Sequence, residues 1–261
     1  MTDAAPGRIT IGGKALETAW WGPAPDAAPT LVLLHEGLGS VALWRSFPAS
    51  LAAATGFGVF AWSRAGYGKS DSVPPPRPVR YMHDEAALLG AVLDAAGIGA
   101  CVLVGHSDGA SIAAIYAGTE RDARVRGLAL LAPHFFVEDV TIAGIEDARE
   151  RYRSTDLRGR LARYHADVDA TFWGWNGAWL NPEFRAWNIE AQAAGITVPM
   201  LIVQGLADPY GTRAQVDAAA RLLGLKLESV LLDGVGHTPH IEAVAATLDA
   251  VAGFSRRALR G

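Results

Sequence analysis

A single cysteine, Cys101, stands among the 261 residues, so neither an internal disulfide nor a cysteine-based metal site can be assembled. It lies within an apolar run and reads as a buried strand residue. No apolar stretch approaches the ~20 residues that a membrane-spanning helix needs. The opening "MTDAAPGRIT" lacks a basic region followed by an apolar core, so no secretory signal is expected. Excess charge of one sign is missing too: 23 Lys+Arg stand against 27 Asp+Glu, a formal net charge of −4. Apart from the arginine-rich stretch Arg149 to Arg163 the basic residues are scattered, so neither nucleic acid nor an anionic membrane is expected as a partner. Repeats are absent, and the biased stretch "SVPPPRPVR" (72–80) is too short for a domain linker. The seven histidines show no metal-ligand spacing. These absences leave a cytoplasmic globular protein, half hydrophobic, within the size range of a single α/β domain.

What is present is an alternation. Residues 8–11 and 15–20 read as an opening hairpin, and "TLVLLH" (30–35) as a strand covered on both faces. A helical stretch at 44–54 and the run "FGVFAW" (57–62) follow. "HDEAALLGAVLDAAG" (83–97) has an acidic first turn, helically spaced apolar residues and a terminal glycine. Then come "CVLVGH" (101–106), a helix over 108–118 and "VRGLALLAP" (125–133). The rhythm breaks over 135–190, which is rich in tryptophan and has helical patterns but no obvious strand. It resumes with "VPMLIVQG" (198–205), a helix at 212–224, "LESVLL" (227–232) and a last helix over 239–257. Strand–helix alternation with apolar strands predicts a mostly parallel sheet with helices on both faces. The predicted core spans 1–134 and 191–261, and 135–190 is expected to form an inserted helical cap.

Reactive groups in such a sheet gather at the carboxyl ends of the strands, where loops converge. Four of those ends carry chemistry here: "HEGLGS" (35–40), "GHSDG" (105–109), "QGLADPYG" (204–211) and "DGVGHTPH" (233–240). Gly105-x-Ser107-x-Gly109 between a strand and a helix is the pattern of a nucleophile held on a strained turn. A serine hydroxyl needs a base within hydrogen-bond reach, and His237 is the candidate, with His240 a rival three residues on. The base needs an acid to fix its tautomer. Asp208, just past the seventh strand, fits, and Glu138 and Asp139 are the alternatives. An oxyanion needs preformed donors: the backbone N–H of Asp108, and that of Gly37 or, second, Leu38. His35 reads as a residue bracing its loop.

Nearly the full length of the chain resembles the α/β-hydrolase superfamily. The likeness rests on "HEGLGS", "SRAGYGKS" (63–70), "GHSDG", "GLAD" (205–208) and "GVGH" (234–237). It implies an α/β-hydrolase fold with an eight-stranded, mostly parallel sheet and a Ser107–His237–Asp208 triad. Two departures stand out. Glu36 replaces the usual glycine after the oxyanion-loop histidine. Ser63 and Ala65 replace the usual aspartate and arginine after strand four. The Ser-Asp-Gly elbow is similar to that of valacyclovir-hydrolase-type amino-acid-ester hydrolases, in which the acid beside the nucleophile binds a substrate amino group.

Asp108 therefore has two readings: a side chain that stabilises the first helical turn and points away from the pocket, or an anchor for a substrate cation, helped by Glu36. Trp173 and Trp175 are expected to line or support an apolar substrate pocket. The reading as a whole is a serine hydrolase for a small or medium carboxylic ester, without cofactor or metal. Thioesterase, lactonase and aminopeptidase activities suit the same triad. A lyase, a cofactor-free oxygenase or a non-catalytic binding protein are the alternatives of a different class.

Overall fold

The computed structural model describes residues 5–260. The chain opens on strands β1 (Ala5–Ile11) and β2 (Lys14–Trp21), then runs through β3 (Thr30–Leu34), α1 (Phe47–Thr55), β4 (Gly58–Trp62) and α2 (Tyr81–Ala95). Next come β5 (Cys101–His106), α3 (Asp108–Thr119) and β6 (Val125–Leu131). The long segment after β6 contributes helices α4 (Asp139–Ser154), α5 (Leu157–Leu161), α6 (Val168–Trp179) and α7 (Glu190–Ala193). Its only described β-pairing is an isolated bridge between Phe136 and Asn188. The fold closes with β7 (Met200–Gly205), α8 (Arg213–Leu223), β8 (Leu227–Leu232), α9 (Pro239–Glu242) and α10 (Val244–Arg260).

The eight strands form one sheet in the order β1-β2-β4-β3-β5-β6-β7-β8. β1 and β2 pair antiparallel, β2 runs antiparallel to β4, and every other pairing is parallel. Successive side chains of a strand point to opposite faces, and the central strands divide accordingly into two cores. Val32, Leu34, Leu103, Leu128 and Leu130 pack with the apolar faces of α2, α3 and α8. Leu31, Leu33, Val102, Val104, Ala129 and Leu131 pack with Phe47 and Leu51 of α1 and Val251 and Phe254 of α10. This double coverage is why the strands read as continuous apolar runs.

One expected element differs. The last helix is not continuous from Pro239, because Ala243 leaves helical geometry at φ −132°, ψ 57°. The Glu242 carboxylate accepts from the Gly236 and Thr238 N–H groups and so holds α9 to the preceding loop. Thr247 Oγ1 donates to the Pro239 carbonyl across the break.

Because β3 through β8 are parallel, the loops after β3, β5, β6, β7 and β8 emerge along one sheet edge. β3 is flanked by β4 on one side and β5 on the other, so the crossing direction reverses there and a crevice opens above the carboxyl ends of β3 and β5.

Candidate active site

Ser107 sits in that crevice between β5 and α3, at φ 52° and ψ −119°. A positive φ is costly for a non-glycine residue, and such strain persists only where surroundings enforce it. Here packing enforces it. A Cβ on Gly105 would lie 2.5 Å from the Ala110 Cα, and one on Gly109 would lie 2.1 Å from the Leu34 carbonyl oxygen. Both collisions are with main chain, so α3 approaches β3 and β5 this closely only over glycine. Gly109→Ala is accordingly expected to cost about 3 kcal/mol of stability and to lower Tm by roughly 6–12 °C, measured by thermal unfolding. An unchanged Tm would contradict this packing.

Three side chains from distant loops join at Ser107. His237 Nε2 lies 2.9 Å from Ser107 Oγ, and His237 Nδ1 lies 2.8 Å from Asp208 Oδ2. A carboxylate only accepts, so Nδ1 carries the proton and Nε2 offers its lone pair to the serine hydroxyl. Asp208 is further held by Gln204 Nε2, which donates to Oδ2 at 2.9 Å, and by the Tyr210 N–H, which donates to Oδ1 at 2.8 Å. Burial opposes ionisation of Asp208, but the bonds from His237 and Tyr210 outweigh it and hold the carboxyl below its ordinary value.

The rival residues are engaged elsewhere. The Glu138 carboxylate accepts from the Thr212 N–H and hydroxyl and from Gln215 Nε2. Asp139 is exposed and pairs with Arg185. His240 is buried against Trp44 and Phe47.

The loop after β3 is fixed by its neighbours. The Glu36 carbonyl accepts from His35 Nδ1 at 2.7 Å, Arg64 Nη2 at 3.0 Å and the Gly39 N–H at 3.1 Å. His35 Nε2 in turn accepts from the Arg64 N–H, so His35 braces this loop. In a trans peptide the carbonyl and the following N–H point opposite ways, so these bonds direct the Gly37 N–H away from Arg64. Among the described residues, neither the Gly37 nor the Asp108 N–H meets a protein acceptor. His165, from the segment between β6 and β7, accepts from the Gly68 N–H and donates to the Leu38 carbonyl, tying that segment to the loop. Its fixed position was not foreseen from sequence.

Above Ser107 lies a cavity of about 200 Å³. Glu36, Gly37, Leu38, Asp108 and His237 line it, joined by Ile145, Trp175 and Trp179 from the helical segment. The Trp175 indole rests on the backbone of the loop after β3: a Cβ on Gly37 would lie 2.0 Å from its Nε1. Trp173 does not line the cavity. It packs edge-on against Tyr152 and Phe172, with Arg153 over its ring. The reason is helical geometry: Trp175 and Trp179 are four residues apart on one face of α6, whereas Trp173 lies about 200° around the helix from Trp175. That spacing was the available signal for Trp179.

Two further lining residues had no sequence signal beyond their place after a strand or on a helix: His134 and Thr141. The Thr141 hydroxyl donates to the Tyr210 carbonyl. His134 is buried beside Trp179 and His237, and burial together with the neighbouring His237 pushes its pKa down to about 3, so its ring is neutral at pH 7.

Asp108 stands in the first turn of α3, as the first of its two readings has it, but its side chain does not point away from the cavity. Its Oδ2 accepts from Tyr81 Oη at 2.5 Å and its Oδ1 from Trp179 Nε1 at 3.3 Å, while Arg64 Nη2 stands 3.9 Å away. Burial pushes its carboxyl up from the ordinary value, against the pull of Arg64 and the two hydrogen bonds. The side chain does not stand free for a substrate cation; it ties α2 and α6 to the elbow.

No group of three or more His, Cys, Asp or Glu residues that could hold a metal ion occurs among the described residues. No described helix is long and apolar enough to cross a membrane.

The fold and site together are those of a parallel α/β sheet protein with a strained serine between strand and helix, hydrogen-bonded to a histidine and through it to a carboxylate at the ends of parallel strands. The sequence profile of the alpha/beta hydrolase fold matches residues 29–184, and the chain belongs to that family. It is 35% identical over 85 residues to Epoxide hydrolase A of Mycobacterium tuberculosis, a match that spans 30% of this chain and 26% of that protein. The crystal structure of a bacterial membrane phospholipase A superposes with a TM-score of 0.76 at 18% identity, covering 99% of this chain and 87% of that one. The enol-lactonase from Burkholderia xenovorans LB400 gives a TM-score of 0.73 at 20% identity, covering 95% and 99%. Identities this low establish a common fold and nothing finer.

Proposed function

We propose that this protein is a serine hydrolase that cleaves small, uncharged carboxylic esters through an acyl-enzyme. The observation that carries the reading is the hydrogen-bonded relay Ser107–His237–Asp208 at the base of a mostly apolar cavity. Ser107 Oγ attacks the ester carbonyl while His237 Nε2 takes its proton. The tetrahedral oxyanion is met by the N–H groups of Gly37 and Asp108, the latter at the N-terminus of α3. Collapse expels the alcohol, which receives the proton from His237. Water, activated by the same ring, then releases the acid.

The substrate class follows from what the cavity offers. The Asp108 carboxylate is already engaged by Tyr81 and Trp179, with Arg64 alongside, which disfavours an amino group as the recognised feature. The lining is otherwise dominated by Leu38, Ile145, Trp175, Trp179 and Tyr210. A cavity of about 150 Å³ holds benzene, so one of about 200 Å³ suits an acyl group of benzoyl size. The chemistry of the nucleophile also favours an ester over an epoxide. Serine attack on an epoxide would leave an ether, which lacks a carbonyl for the second attack by water.

Labelling with a fluorophosphonate probe followed by peptide mass spectrometry tests the mechanism, and the label is expected on Ser107. An ester panel tests the pocket: kcat/KM is expected to peak at acetyl to benzoyl acyl groups and fall at least tenfold for a ten-carbon chain. An unlabelled protein would overturn the serine mechanism. A preference for long chains would overturn the pocket assignment.

A further inference from the structure

The departure at Glu36 has a counterpart across the site. His106, the last residue of β5 and the neighbour of Ser107, is completely buried. Its Nε2 lies 2.8 Å from the carbonyl oxygen of His237. A carbonyl only accepts, so Nε2 carries a proton and donates it there. The other nitrogen, Nδ1, is buried and has no partner in ordinary hydrogen-bond geometry. Facing it at 3.4 Å is Glu36 Oε2.

The electronics of that contact are restrictive. A neutral ring protonated at Nε2 presents a lone pair at Nδ1, which would repel a carboxylate. The contact is attractive only when one proton lies between the two groups, on the ring or on the carboxyl. Burial by itself would push the Glu36 carboxyl up, but His106, with His35 and His240 nearby, outweighs it and holds the group well below its ordinary value. His240 packs edge-on against His106 with ring centres 4.9 Å apart, and Trp44 and His237 complete its aromatic surroundings. The geometry also requires room over Gly39, where a Cβ would lie 2.3 Å from Glu36 Oε2.

We propose that the contact between Glu36 and His106 is a clamp that positions the loop bearing His237 against the loop bearing Gly37. Glu36 precedes the oxyanion donor Gly37, His106 precedes Ser107, and the far side of the His106 ring holds the main chain of His237. One contact thus sets the distance between nucleophile, base and oxyanion donor. Both residues are positioning residues, and their role rests on the serine-hydrolase reading.

The test compares Glu36→Ala, Glu36→Asp and Glu36→Gln for kcat, KM and fluorophosphonate labelling rate. Alanine removes the contact, and aspartate keeps the charge but is one methylene too short to reach His106. Both are expected to lose roughly 30- to 100-fold in kcat with KM within about threefold, the penalty of a misplaced catalytic group. Glutamine can donate an amide N–H to Nδ1 and is expected to stay within about fivefold of wild type. Wild-type kcat in Glu36→Asp, or a loss in Glu36→Gln as deep as in Glu36→Asp, overturns the clamp. So does an effect confined to KM. If Glu36→Ala does not fold, the Asp and Gln variants decide the matter between them. A wild type that the probe fails to label would overturn the serine-hydrolase reading itself, whereas a labelled wild type with an indifferent Glu36 overturns only the clamp.

Discussion

Ser107→Ala is expected to lower kcat for ester hydrolysis by about 10⁴- to 10⁶-fold while leaving KM nearly unchanged. In the proposed mechanism the hydroxyl supplies the attacking oxygen, and no other group replaces it: His237 Nε2 points at it, and the Asp208 carboxylate is engaged on both oxygens. Residual turnover would come from water attack assisted by His237 and the backbone donors. The substitution keeps Cβ and with it the strained backbone at φ 52°, so the fold is expected to hold to within about 1 kcal/mol. Steady-state kinetics and a melting curve on the same preparation separate the two effects. Activity within tenfold of wild type would eliminate Ser107 as the nucleophile.

The second large effect concerns Asp208. Asp208→Ala is expected to lower kcat by about 10⁴-fold, because His237 loses the acceptor that keeps the proton on Nδ1 and the lone pair on Nε2. It also strands the Tyr210 N–H, which donates to Asp208, whereas the Gln204 amide keeps the Gly205 and Gly211 carbonyls as acceptors. Unsatisfied buried donors cost about 1–3 kcal/mol each, so Tm should fall as well. Glu138→Ala is the matched comparison, since Glu138 also follows a sheet strand and lies within the same edge of the fold. Its carboxylate serves Thr212 and Gln215 and the first turn of α4. Its removal is expected to cost about 1 kcal/mol in capping and to leave kcat within about threefold. A reversal, with Glu138→Ala inactive and Asp208→Ala active, would reassign the acid.

The position of Ser107 was legible because its causes are local. An apolar run, two glycines and a helix-prone stretch determine a strained turn within about ten residues, and the collisions at Gly105 and Gly109 are the same ones that make the pattern informative. Asp208 and His237 were legible for a related reason: each follows a continuous apolar strand, and parallel strands bring their carboxyl ends to one edge. His35 was recognisable as a brace on the same grounds.

The side-chain environment was not legible. Asp108 meets Tyr81, 27 residues before it, and Trp179, 71 residues after it; nothing in "GHSDG" encodes either. Trp173 and Trp175 look alike in sequence, and 200° of helical rotation sends one to Tyr152 and the other to the cavity. Glu36 stood out only as a departure from a familiar pattern, and its contact is with a histidine 70 positions away.

The sequence by itself determined the sheet, the elbow and the three residues of the relay, because strand periodicity and backbone sterics act over short stretches of chain. Only the tertiary structure decided which donors hold Asp108, which tryptophans face the cavity and what Glu36 touches. Those outcomes depend on how distant elements pack, and a side chain's partners are set by that packing and not by its neighbours in the chain.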